Sequence, residues 1–171
     1  MTRENLRKAV LVERLADHVL ARGLGGASLR PLAAAVGTSD RMLLYYFPDK
    51  ASLIAAVLGE IATRMTALLA AHVAPTPLPR SALEARLLPL LLDDVAWPYM
   101  ALWLEIASLA ARGDPAFREV GERIGRGFLA WGAAQLDNSE DAGLLMMTIE
   151  GAVLLKSLGM EDVVRSALAS R

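Results

Sequence analysis

The sequence contains no cysteine and only two histidines, His18 and His72, which stand 54 positions apart. The first absence excludes disulfide frameworks, thiolate metal centres and cysteine nucleophiles, and the second argues against a multi-histidine metal site. β-branched residues are also scarce: 11 Val, 5 Ile and 6 Thr, against 30 Ala and 31 Leu. Ala and Leu lose little side-chain freedom in a helix, whereas β-branched residues favour strands, so the composition predicts an all-α protein. Long uncharged apolar runs are missing too. The longest, Val95 to Leu104, is interrupted by Pro98, and a membrane-spanning helix needs about 20 such residues. Thr2 to Lys8 is polar and basic with no apolar core after it, so no signal sequence is expected. The expectation is a soluble cytoplasmic protein with no membrane partner.

What is present is an excess of apolar residues, 54% of 171, with 22% charged. That charge content argues against disorder, and the length suits one domain, or one with a small module. A helical chain of this size has limited interior, so the surplus predicts a subunit interface or a ligand cavity. The net charge of -1 conceals an asymmetry. Residues 1–50 carry eight basic against five acidic side chains, and residues 51–171 carry ten against fourteen. A basic N-terminal part suggests contact with a polyanion.

Helical spacing and stop signals divide the chain. Leu11, Leu15 and Val19 mark the apolar stripe of a first helix over residues 3–22, which Gly23, Gly25 and Gly26 end. His18 beside that stripe reads as a structural histidine. Ser28 caps a short second helix, Leu29 to Val36, with Pro31 in its first turn. After Gly37, Thr38 or Ser39 caps a third helix that stops before Pro48. Asp49 caps a fourth, Lys50 to about His72, with Leu53, Val57, Ile61, Met65 and Leu68 or Leu69 inward. Ala74 to Pro79 reads as a proline-rich linker. Helices are expected over about 80–94, 97–112, 115–135, 139–158 and 161–169.

The segment Ser28 to Phe47, S-L-R-P-L-A-A-A-V-G-T-S-D-R-M-L-L-Y-Y-F, places two short helices around a turn at Gly37. This is a helix-turn-helix pattern, whose second helix can enter a DNA major groove. Ala33 must be small for the helices to approach, Gly37 can supply positive φ, and Leu43 fills the shared core.

The longer block Arg22 to Leu53, with R-G-x-x-G-A-S, L-R-P-L-A-A-A-V-G-T-S and L-Y-Y-F-P-D-K-A-S-L, resembles the DNA-binding domain of TetR-family transcriptional regulators. The resemblance implies a three-helix DNA-binding domain over residues 1–49, with its motif at 28–47. A larger helical ligand-binding and dimerisation bundle follows over 50–171. It also implies contacts by position: Ser28 and Arg30 to phosphate or a base edge, and Thr38, Ser39, Asp40, Arg41 and Met42 to the groove. Tyr45, Tyr46 and Lys50 match phosphate binders. Elementary chemistry agrees, because arginine binds guanine bidentately and hydroxyls and helix N-termini donate to phosphate. Asp40 departs from the family pattern, where Lys or Arg is frequent. It can accept from cytosine N4, pair with Arg41 or cap its helix.

In the second domain, the region from Val95 to Trp131 holds Trp97, Met100, Trp103 and Trp131, and Glu105 is a lone carboxylate among the apolar residues of the helix after Pro98. They read either as ordinary core or, with Met146 and Met147, as a ligand cavity with one orienting carboxylate. The helix after Glu140 is apolar on two sides, so it needs two covers. Gly143, Leu144, Met147, Gly151 and Leu155 are the expected twofold partner face; the resemblance implies a four-helix dimer interface from the last two long helices. No constellation for an enzyme, a metal or a cofactor is found. The expected function is therefore a homodimeric repressor that binds double-stranded operator DNA and is released by a small-molecule effector. The alternative is a dimeric helical interaction module without DNA binding.

Overall fold

A computed structural model describes residues 3–25, 28–73 and 76–169, so Gly26, Ala74 and Pro75 of the expected turn and linker lie outside the described residues. The described residues form the helices α1 (Arg3–Arg22), α2 (Leu29–Ala35), α3 (Asp40–Tyr46), α4 (Lys50–His72), α5 (Arg80–Leu91), α6 (Trp97–Ala111), α7 (Pro115–Gln135), α8 (Ala142–Ser157) and α9 (Glu161–Ala169). The architecture is all-α, as the composition predicts. Two expected helices differ from their spans. α5 stops three residues early, in a turn closed by Asp93 through its carbonyl to the Ala96 and Trp97 amides. The stretch from Ser139 opens with a 3-10 turn to Asp141 before α8 begins.

Local chemistry sets the boundaries. The Ser39 hydroxyl accepts from the Met42 amide at 3.3 Å, so Ser39 rather than Thr38 or Asp40 caps α3. Asp49 accepts from the Ser52 amide at 2.7 Å, and that bond lowers the Asp49 pKa. Asp114 accepts from the Ala116 and Phe117 amides at the start of α7, where Pro115 needs no donor of its own. Gly23, Gly37, Gly113 and Gly159 all adopt positive φ.

A first core joins Leu15, Ala16 and Val19 of α1, Leu32 and Ala33 of α2 and Leu43 of α3 to Leu53, Val57 and Leu58 of α4. Leu102 and Ile106 of α6 and Val120 of α7 close it, so the bundle packs directly on the helix-turn-helix. A second core takes Met65 and Leu69 of α4 with α5, α6 and α8. α4 thus runs through both, and His18, next to Val19 on α1, is half-buried.

By length and composition α4 could cross a membrane, a match that a count of uncharged runs misses because Glu60 and Arg64 interrupt it. Here it is a core helix. Arg64, held within α4 by Glu60 at 2.8 Å, ties the helix to α1 by donating to Asp17 at 2.6 Å and to the Glu13 carbonyl at 3.1 Å. The end of the expected linker is also fixed. Leu78 donates to the Gln135 carbonyl at 2.9 Å and accepts from the Asp137 amide at 3.0 Å.

Candidate nucleic-acid interface and ligand cavity

α2, the Gly37 turn and α3 assemble because Leu32, Ala33 and Leu43 are almost fully buried where the two helices meet. Gly37 has φ of 69°, which the tight turn requires. Burying that face leaves the opposite one in solvent. Ser28, Arg30, Ser39, Arg41, Met42, Tyr45 and Lys50 are exposed, while Thr38, Asp40 and Tyr46 are half-buried. Leu44 is also exposed, and Phe47 is buried with the Lys8 ammonium 4.6 Å from its ring centre.

Ser28 makes no side-chain capping bond, so its hydroxyl does not serve α2. Asp40 and Arg41 form no ion pair with each other or with any described residue, which removes the local pairing as an account of Asp40. Tyr45 and Tyr46 meet edge to face, with ring centres 5.1 Å apart. The Glu4 carboxylate of α1 beside the Tyr45 hydroxyl raises the tyrosine pKa. Glu4, Arg7, Met42, Tyr45 and Tyr46 therefore share one shallow groove between α1 and α3. The sequence patterns did not reveal Glu4 and Arg7, because this neighbourhood depends on how α1 crosses α3.

Behind this face, α4 to α8 enclose a cavity of about 110 Å³. Met100, Trp103, Trp131 and Met146 line it. Three other residues expected there are elsewhere. Trp97 lies under the Lys156 ammonium, 4.6 Å from its ring centre, and Lys156 also donates to the Leu92 carbonyl. Met147 is 73% exposed on the outer side of α8. Glu105 points to the other end of α6, where it accepts from the Leu24 amide at 2.6 Å beyond the end of α1.

The carboxylate in the cavity wall is Glu150 of α8. Both its oxygens accept from the Trp103 indole N–H, at 2.8 and 3.0 Å, and burial raises its pKa. Its sequence signal was the same as that of Glu105, a single acid in an apolar helix.

The outer face of α8 is apolar. Leu144, Leu154 and Leu158 are half or more exposed, as is Met147, and Met160 and Val163 extend the patch towards α9. Gly143 and Gly151 have open space above them. Leu155 does not belong to this face, because it packs inward against the cluster of Leu88, Ala152 and Val164. Leu154 takes its place.

Residues 14–57 match the family model of bacterial regulatory proteins, tetR family. No curated protein matches the chain. Several solved structures share the fold. The multidrug binding protein EbrR, complexed with imidazole, is 25% identical with a TM-score of 0.72, the match covering 99% of this chain and 93% of that one. A regulator from Rhodococcus sp. assigned to the TetR family is 20% identical with a TM-score of 0.72, covering 92% of each chain. A transcriptional regulator from Saccharomonospora viridis, in complex with choline, is 18% identical with a TM-score of 0.64, covering 97% and 95%.

Proposed function

We propose, from the match of residues 14–57 to the bacterial regulatory proteins of the tetR family, that the chain is a DNA-binding transcriptional regulator with a specific mode of action. The protein is a cytoplasmic homodimeric repressor that leaves its operator when a small molecule fills the cavity. A regulator of this kind is not an enzyme. The observation that carries the reading is the double duty of α6. Trp103 on this helix borders the cavity, and Glu105, two residues on, holds the turn after α1. A ligand that moves α6 acts directly on the helix-turn-helix. The imidazole-bound relative supports a cavity open to small compounds.

In the proposed complex α3 lies in the major groove with Arg41 and Met42 facing base edges. Asp40 flanks them as a candidate acceptor for cytosine N4. Ser28, Arg30, Thr38, Ser39, Tyr45, Tyr46 and Lys50 hold the backbone on either side. Two copies, paired through α8 and α9, would meet successive grooves about 34–36 Å apart.

Arg41→Ala is expected to cost roughly 1–3 kcal/mol on the preferred site and to narrow its margin over altered sites. Lys50→Ala should weaken all duplexes alike and reduce the slope of log affinity against log salt by about one. Titration of both variants on operator and scrambled duplexes across a salt series measures this. Equal affinity of the intact protein for operator and scrambled DNA would reject the reading, and dimers with no shift at low salt would favour an interaction module.

A further inference from the structure

Nine aromatic residues occur in the whole chain, and four of them, Tyr99, Trp103, Phe128 and Trp131, line the one cavity described above. Among the described residues no lysine, arginine or histidine lines it, and Glu150 is the single charged one in its wall. A carboxylate can accept about four hydrogen bonds, yet Glu150 has a single N–H donor among the described residues, shared between its two oxygens. A partly buried acid without a cationic partner is costly unless a ligand supplies one. Aromatic faces attract cations as well, through the negative potential over the ring. The Trp103 indole N–H lies at the carboxylate, so the same residue that offers a ring to the cavity also orients the acid.

We propose that this cavity recognises a compact organic cation, such as a protonated one-ring amine. Its nitrogen sits at Glu150 and its hydrocarbon lies among Tyr99, Trp103, Phe128 and Trp131. The inference rests on the reading of the cavity as an effector site and gives that site its chemistry. Size sets the upper limit. A cavity of about 150 Å³ accommodates benzene, so 110 Å³ excludes a polycyclic compound and limits the ligand to at most one ring, with its charged end at the wall. Trp103 acts as a positioning residue for Glu150 and also contributes its ring to the ligand.

Benzylamine, protonated at neutral pH, and benzyl alcohol have nearly the same shape and differ in charge. Calorimetry with the full chain, together with the NMR signals of the Trp103 and Trp131 indole N–H groups, tests the proposal. Benzylamine is expected to bind roughly tenfold more tightly than the alcohol and to shift the Trp103 signal. Glu150→Gln keeps the side chain's shape and an acceptor for the indole. It should bring the ratio close to one while leaving the alcohol's affinity nearly unchanged. Trp103→Phe retains the acid but loses its orienting donor, and should reduce the ratio only in part.

Equal binding of the two compounds to the intact protein overturns the cation assignment and leaves the cavity standing as an effector site. If neither compound moves either indole signal at millimolar concentration, the cavity is not an effector site for compounds of this size and the inference fails with it. Should Glu150→Gln fail to fold, the ratio measured on the intact protein still decides.

Discussion

Gly23→Ala is expected to destabilise the protein by roughly 2–4 kcal/mol, about twice the effect of Gly37→Ala, although the two glycines have almost the same backbone. Their φ angles are 71° and 69°. An L-residue in that left-handed region costs about 1–2 kcal/mol through Cβ crowding, and both substitutions incur it. Gly37 incurs nothing more, because an added Cβ meets no atom within 4 Å. At Gly23 the Cβ would stand 2.3 Å from one Glu105 oxygen and 3.0 Å from the other. The carboxylate is the end of a flexible side chain and can swing away. In doing so it gives up the 2.6 Å bond from the Leu24 amide, a charge-assisted bond of a kind that contributes about 1.5–3 kcal/mol.

Thermal unfolding of the two variants measures the difference, at about 2–4 °C per kcal/mol for a chain of this length. The pair Gly23→Ala and Glu105→Ala should be less than additive, because both remove the same bond. Equal melting shifts for Gly23→Ala and Gly37→Ala would mean that Glu105 contributes nothing at this junction. The contact also joins the α6 end of the cavity wall to the reader, so Gly23→Ala should blunt the ligand's effect on DNA affinity more than it changes the affinity itself.

Helix starts and stops were legible from the sequence because their causes are local. Ser39, Asp49 and Asp114 each satisfy an amide two or three residues on, and the helices before Ser39 and Asp114 end at positive-φ glycines, Gly37 and Gly113. The phase of a helix was legible only where one face is polar. In α1 the stripe of Leu11, Leu15 and Val19 between charged residues correctly points inward, with Leu15 and Val19 almost fully buried.

α6 and α8 offer no such contrast. Around Glu105 the neighbours Leu102, Trp103, Leu104 and Ile106 are apolar on every side, so spacing cannot say which way the acid turns. It turns to the Leu24 amide because α6 packs on α1 as well as on α7 and α8. Leu154 and Leu155 pose the same problem as adjacent apolar residues on one helix, and the docking of α5 and α9 settles it by covering Leu155. Trp97 read as a cavity residue from its helical spacing with Met100 and Leu104. Its partner Lys156 is brought over it by the packing of α6 and α8 and is far away in sequence.

Leu154→Glu is expected to convert the protein to monomers and to lower its affinity for a two-site operator by about 10²–10⁴, the advantage that linking two half-site contacts confers. Leu144, Met147, Gly151, Leu154 and Leu158 recur at steps of three and four along α8, the period of a seam between paired helices. The four large residues among them are 50–73% exposed, and the seam continues into Met160 and Val163. A monomer rarely leaves so continuous an apolar surface in water. Gly143 and Gly151 leave room for a second backbone to come close.

A carboxylate at 154 would be carried into the centre of such a pairing without a partner, at a cost of several kcal/mol, while the isolated protomer keeps it in solvent at little cost. Light scattering at micromolar concentration should therefore report half the mass, with the protomer's helicity unchanged. Binding to a single half-site should persist at its intrinsic, weaker level. Leu155→Glu separates this from a general loss of stability. It places the charge among Leu88, Ala152 and Val164, so it should lower the melting temperature of the protomer itself. A Leu154→Glu protein that stays dimeric and keeps its operator affinity would move the pairing surface off α8, and the apolar seam would then need another occupant.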